Sequence, residues 1–313
     1  MIDIACVGIL VADVIVKPVD GIPEKGLLKL VDSIELFSGG NAMTASINVK
    51  KLGLNTAIVG KVGTDYFGDF LKKCLDDKGV DTKGLSRGEK SQTSASVLLS
   101  SDDGERSFFH CVGANGTFCI DDVDWNVIEQ AKIVFVTGTF LLDTFDGAQT
   151  AEFLKKCKEM GKITVLDVCW DGKGRWGSVI NCCMPYIDIF MPSIDEAKMI
   201  AGTDDVDAIA EDFFDKGVGK VVVKLGSVGC YIRESRDAEA KILPSYKGIN
   251  VVDTTGAGDS FCSGFISALA RGKSFEECAA FANAVGAHCC MAKGATTGIK
   301  SYEEILQFME EHK

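Results

Sequence analysis

The chain has 313 residues and a formal net charge of −12; 46% of its residues are hydrophobic and 25% charged, a composition that excludes a disordered chain. At this length a core can be buried without covalent staples, so the 13 cysteines do not form the disulfide scaffold of a small secreted protein. The acidic balance speaks against a nucleic-acid binder, and an N-terminus with no basic residue before Lys17 speaks against a signal peptide.

No two cysteines stand in a C-x-x-C spacing, and the adjacent pairs Cys182/Cys183 and Cys289/Cys290 are poor zinc ligand sets. They read as small buried hydrophobes in a reducing compartment. No uninterrupted apolar stretch approaches the ~20 residues of a membrane span. The expectation is a soluble, cytoplasmic protein.

In chain order, short apolar strand patterns alternate with helical ones. Strands are expected at 4–10, 56–60, 133–137, 163–166, 187–191 and 221–225. A helix follows from Ala42, Ala45, Val49 and Leu52, closed by Gly53; another runs through Phe67, Leu71, Cys74 and Leu75 and stops at Gly79. The alternation predicts an α/β fold, a mostly parallel sheet covered on both faces, with ligands beyond the carboxyl ends of its strands. Residues 14–37 and 93–111 break the pattern, reading as strand pairs without a helix between them. The turn Asp102-Asp103-Gly104 carries tight-hairpin chemistry. These segments are either a lid or an edge extension. No repeat, low-complexity tract or linker divides the chain, so residues 1–313 read as one domain with a β appendage.

The segment VDTTGAGDSF (252–261) opens a helix whose apolar face is Phe261, Phe265, Ile266 and Leu269. Glycines at 256 and 258 let the backbone approach a ligand and leave helix N–H groups pointing outward at the positive end of the dipole, an anion site. Asp259 in the same turn would repel a phosphate that was merely bound. It suits an enzyme that deprotonates a hydroxyl as it attacks phosphorus. The equal alternative is a core helix whose glycines serve a tight turn and whose Asp259 caps it. Neither a G-x-G-x-x-G fingerprint nor a P-loop is present.

DTTGAGDSFCSGF resembles the C-terminal signature of the ribokinase-like (PfkB) family of sugar and nucleoside kinases. Ser38-Gly39-Gly40-Asn41-Ala42 resembles the N-terminal signature, VGTDYFG (62–68) the segment that follows it, and VKLGSVG (223–229) the nucleotide-side turn. The landmarks stand in the family's order along the whole chain. The resemblance implies a three-layer α/β/α sandwich with a mostly parallel central sheet and a small β lid over the sugar site. It implies ATP-dependent phosphorylation of a small sugar such as ribose, fructose or a keto-deoxy sugar acid. A nucleoside kinase, a vitamin or pyrimidine kinase of the wider superfamily, and a non-catalytic sugar-binding regulator are the alternatives.

By the same resemblance, Asp259 is the general base, and the N–H groups of Gly256, Ala257 and Gly258 hold the transferring charge. Asp13, Gly39, Gly40 and Asn41 contact the sugar, although Asp13 alone reads as a solvated strand end and Asn41 as an N-cap. Lys224, Gly226, Ser227, Gly229 and Asn283 bind the nucleotide, Lys224 having a solvated strand end as its competitor. The family's N-x-x-E motif, tied to Mg²⁺ through water, becomes Ser193-Ile194-Asp195-Glu196, keeping Glu196 and losing the Asn. Asp253 and Thr255, with backbone near Gly294, match positions that hold K⁺ in relatives.

A second Asn of sugar-kinase relatives is Thr44 here. Asp167-Val168-Cys169-Trp170, with Arg175 and Trp176, resembles the D-x-N…R…W stretch of ketose and keto-acid kinases, Cys169 replacing Asn. Arg175 either grips an anionic acceptor or, the better reading, pairs with a surface acid. Phe108, Phe109 and His110 either close over a sugar or pack the lid; His288 and His312 read as a helix residue and a tail residue. A homodimer through the lid is expected, since edge strands invite pairing. Cys262, three residues past Asp259, is the thiol singled out for reactivity.

Overall fold

Buried apolar residues alternate along each central strand, and the alternation sends side chains to two separate cores. In the strand Ile2–Gly8 (β1), Ile4 and Cys6 join one hydrophobic cluster while Ala5 and Val7 join the other. In Ala131–Thr139 (β8), Ile133 and Phe135 divide from Val134 and Val136 in the same way. A sheet buried on both faces needs helices on both, which gives three layers. This is the computed structural model of the chain, describing residues 1–101 and 106–312, with only the backbone of Arg106.

The remaining strands are Val11–Lys17 (β2), Ser33–Gly39 (β3), Thr56–Gly63 (β4), Asp81–Gly88 (β5), Ala95–Ser100 (β6), Arg106–Cys111 (β7), Ile163–Val168 (β9), Ile189–Phe190 (β10), Lys220–Lys224 (β11), Gly229–Arg233 (β12) and Lys241–Pro244 (β13). The main sheet runs β13-β12-β11-β10-β9-β8-β1-β4-β5. It is parallel from β11 to β5, and β12 and β13 add an antiparallel hairpin at one edge. The expected strands are all present with shifted ends; the segment expected at 187–191 shrinks to two residues. Strands β5, β12 and β13 were not foreseen. Asp81–Gly88 (DTKGLSRG) has no apolar alternation and two glycines, and it forms only because β4 offers a ladder.

The two irregular segments make a separate four-stranded sheet, ordered β3-β2-β6-β7. The first hairpin, Val11–Gly39, reaches slightly beyond the expected 14–37, the second, Ala95–Cys111, starts just inside the expected 93–111, and the parallel pairing of β2 with β6 joins them. The turn Asp102-Asp103-Gly104 lies outside the described residues. Register places Phe37, Asp13, Ser96 and His110 in one row across this sheet, on one face. The opposite face carries Val14, Val16, Ile34, Leu36, Val97, Leu99 and Phe109 and is apolar.

Helix ends follow local chemistry. Ser193/Glu196, Ser274/Glu277 and Ser301/Glu304 each close a capping box. Three helices of eight or more described residues lack a side-chain cap: Asn41–Lys51 begins at Gly40, Ala148–Glu159 at Gly147 and Ala257–Ala270 at Gly256. No helix among the described residues is long and apolar enough to cross a membrane.

Candidate active site

Two of these uncapped N-termini, those at Gly40 and Gly256, meet. Asn41, in the first turn of its helix, donates from Nδ2 to Oδ1 of Asp259, in the first turn of the other, at 2.7 Å. Asn41 is therefore not an N-cap; Gly40 occupies that place. Gly256 takes φ 77°, and a Cβ there would fall 2.3 Å from the Ala295 Cβ, so only glycine starts this helix without displacing Ala295. Ala257 N–H donates to Thr254 O at 3.1 Å. With no side chain capping the turn, its positive end faces the cleft.

Lys224 arrives from the carboxyl end of β11 and Asp167 from that of β9. Their side chains are mostly buried and paired, Nζ to Oδ1, at 2.7 Å. A Cβ at Gly258 would lie 3.6 Å from Lys224 Nζ, which puts the ammonium against the first turn of the Asp259 helix. Burial works against the lysine's charge, but Asp167, Cys262 and Glu196 outweigh it and raise its pKa. Burial also raises the Asp259 carboxyl; the Asn41 hydrogen bond and Lys224 pull it down, and Glu196 pushes it up. A carboxylate held above its usual range is a stronger base, as proton abstraction requires.

These groups line one cleft of about 770 Å³, at the carboxyl ends of the strands. Asn41, Asp167, Glu196, Lys224, Gly226, Ser227, Gly229, Asn283 and the turn Gly256, Ala257, Gly258, Asp259 share it. A helix N-terminus, a lysine and a base around one cleft are the parts of a phosphoryl-transfer site. Residues 1–301 match the pfkB family carbohydrate kinase model. The chain belongs to the pfkB family of carbohydrate kinases.

The chain is similar to fructokinase-1 of Oryza sativa, at 30% identity over 87% of this chain and 88% of that one. It is also similar to an ATP-dependent 6-phosphofructokinase of Thermoanaerobacterium thermosaccharolyticum, at 28% identity over 88% and 85% of the two chains. Among solved structures, Arabidopsis thaliana ribokinase complexed with ribose and ATP superposes with a TM-score of 0.86, covering 99% of each chain at 26% identity. The three-layer fold with a mostly parallel sheet is thus the ribokinase fold, and the chain is a carbohydrate kinase.

Within this kinase the other foreseen residues fall into place unevenly. Asp13 lies under the lid beside Gly39, where any Cβ would collide with its Oδ2 at 2.0 Å. Burial pushes its carboxyl up to about 6, opposed by a hydrogen bond from Ser96. Glu196 is held by the Ser193 N–H on Oε2 at 2.8 Å, and Ser193 Oγ accepts from Glu196 N–H, so the serine that replaces the family's Asn still orients the glutamate. Thr44 is buried in its helix.

Asn283 reaches the cleft, but its Nδ2 donates to Leu243 O and Pro244 O at 3.1 and 3.2 Å, tying β13 to the helix Phe275–Cys290. Gly229 runs against the same strand, where a Cβ would meet Leu243 O at 2.0 Å. Asp253 gathers Thr255 N–H and Oγ1 on Oδ1 and Gly294 N–H on Oδ2, uniting the foreseen cation residues. Arg175 does not line the cleft; it donates to Phe140 O at 2.7 Å and pairs with Asp171 and Asp143. That is the acid-paired reading.

Cys262 is fully buried between Asp167 and Lys224, and burial, with Asp167 next, raises its thiol well above the usual value. Such burial disfavours reaction at the thiol singled out for testing, because a reactive cysteine needs access and a stabilised thiolate. The Asp167–Lys224 pair went unforeseen as a pair, its members lying 57 residues apart. Its signal was a charged residue at or next to the carboxyl end of each of two largely apolar strands. Tyr246, Ile249 and Val251, which line the cleft as an apolar wall, carried no signal at all.

Removing one member of a buried ion pair strands the other. Lys224→Ala is expected to lower unfolding free energy by about 3–5 kcal/mol in urea titrations, and Lys224→Ala/Asp167→Ala to recover part of that loss. Full additivity of the two single effects would show that the pair carries no coupling.

Proposed function

We propose that the enzyme transfers the γ-phosphoryl group of ATP to a hydroxyl of a small sugar. The observation that carries this is the Asn41–Asp259 hydrogen bond at the meeting of two uncapped helix N-termini. Asp259 takes the proton of the acceptor hydroxyl. The amides of Gly256 and Gly258 and the Lys224 ammonium face the transferring charge, while the Ala257 N–H, engaged by Thr254, shapes the turn. Asp13 accepts hydrogen bonds from the sugar under the lid, with the backbone of Gly39 and Gly40 and the amide of Asn41 beside it. The nucleotide lies along Gly226, Ser227 and Gly229, with the Asn283-anchored β13 as its wall. Water exclusion by the lid makes the sugar, rather than water, the acceptor.

Mg²⁺ fits this cleft. Among the described residues no cluster of His, Cys, Asp or Glu forms a metal cage. This ion keeps its waters and binds through one or two carboxylates plus substrate phosphates. Glu196, fixed by Ser193, is the carboxylate that would hold it, and the ion would neutralise phosphate charge. Asp253, Thr255 and the Gly294 backbone are the proposed K⁺ position. Activation by KCl over NaCl at equal ionic strength would support it, and equal rates would exclude it.

The β lid separates this reading from that of a vitamin or pyrimidine kinase. An intact Asp259 with its Asn41 partner favours an enzyme over a non-catalytic sugar binder.

Asp259→Asn keeps an oxygen to accept from Asn41 but removes the base. Turnover should fall roughly 10²–10⁴-fold with ATP affinity retained, measured by coupled ADP release and ATP titration. The base must be ionised and its pKa is raised, so wild-type kcat should decline on the acid side, starting above the ordinary carboxylate range. Near-normal turnover in the variant would refute the mechanism.

The apolar lid face, with Ile34 68% and Phe109 57% exposed, is assigned to contact with a second copy. Sedimentation should give a two-chain mass that Leu36→Glu/Phe109→Glu converts to one chain; a monomeric wild type would exclude the assignment.

A further inference from the structure

The relatives named above include a fructokinase and a 6-phosphofructokinase, one named for an uncharged sugar and one for a sugar phosphate. We propose that this kinase takes an uncharged acceptor, a free sugar or nucleoside, and rejects sugar acids and sugar phosphates. The inference rests on the kinase reading of the cleft.

The charge lining the cleft carries it. Asp167, Asp195, Glu196 and Asp259 supply carboxylates there, and among the described lining residues Lys224 is the single basic side chain. That lysine is already paired with Asp167 at 2.7 Å and lies against the turn that faces the transferring phosphoryl group. With ATP bound, it and the helix N-terminus are committed to the nucleotide. No cation of the lining remains for a second anion.

Several basic side chains beyond the cleft lining are already paired as well. Arg175, the natural candidate to grip a carboxylate or phosphate, is turned onto Phe140 O and the carboxylates of Asp171, Asp143 and Asp146. Lys173 pairs with Asp143 at 2.6 Å, Lys61 with Asp122 at 2.8 Å and Lys17 with Glu35 at 3.5 Å. Under the lid, the row Phe37, Asp13, Ser96, His110 presents an aromatic ring, a carboxylate, a hydroxyl and an imidazole. His110 Nδ1 lies 3.1 Å from Ser96 Oγ, and burial lowers its pKa, which favours the neutral ring. A carboxylate and a flat apolar neighbour suit hydroxyl groups and the C–H face of a sugar. They offer an anion nothing. The same acidic surroundings favour departure of the product, a phosphate monoester, once it forms.

The test is a kinetic panel on the wild-type enzyme with Mg·ATP, reading ADP release. Fructose, ribose and adenosine form the uncharged arm; 2-keto-3-deoxygluconate and fructose 6-phosphate form the anionic arm. At least one uncharged acceptor should exceed both anionic ones in kcat/KM by roughly 100-fold, the scale of an unpaired like-charge contact. An anionic acceptor used as well as or better than the uncharged ones overturns the inference and leaves the kinase reading standing. ADP release that ignores every acceptor, or no release at all, overturns the kinase reading and this inference with it.

Discussion

Everything in the cleft depends on one junction, the hydrogen bond from Asn41 to Asp259 where two helices start. Each helix brings unpaired N–H groups and a partial positive charge, and a carboxylate at that point is both attracted and desolvated. Burial raises its pKa, while the Asn41 amide and Lys224 pull it down. A base with this balance needs both helices, and each needs a glycine in place of a side-chain cap. Gly40 and Gly256 begin these two helices without a capping side chain, and a Cβ at either would collide with a neighbour, Ile9 O in the first case and Ala295 in the second.

Around the junction, charge is supplied locally and cancelled locally. A chain of net charge −12 cannot draw ATP by its overall field. Lys224 is paired with Asp167 in a buried place, and Glu196 is kept in position by Ser193. Neutralising Arg175 with several carboxylates removes an anion receptor that the sequence alone left open. Specificity thus arises from what is already paired as much as from what is presented.

The sequence made the reaction more legible than the contacts. The glycines and Asp259 in DTTGAGDSF read equally as an anion turn with a base and as a tight turn into a core helix, and the order of the family's landmarks along the chain is what separated the two. The alternation of strands and helices revealed the sheet because both faces are buried. Asp81–Gly88 escaped because it has no periodic face of its own and is ordered by β4. Asn283 was foreseen as a cleft residue, yet its bonds to β13 depend on a hairpin whose pairing no local pattern encodes. The Cys262 environment was equally hidden: its neighbour Asp167 lies 95 residues away. Much of what escaped is long-range, whereas the β12–β13 hairpin is local and escaped for want of any pattern in its strands.

That separation bears on how the enzyme is made. Asn41 and Asp259 are 218 residues apart, so the chain must be nearly complete before the base has its partner. Contacts of such span are slow to form, because loop closure precedes any reward for it. During synthesis the N-terminal strands and the lid emerge long before the helix Ala257–Ala270 that will cover them. Until then the Asn41 helix lacks the helix it packs against, and the nascent chain has a sugar-side shell without a catalyst. With Asp259 in its proposed role, activity would report that these two distant segments have come together.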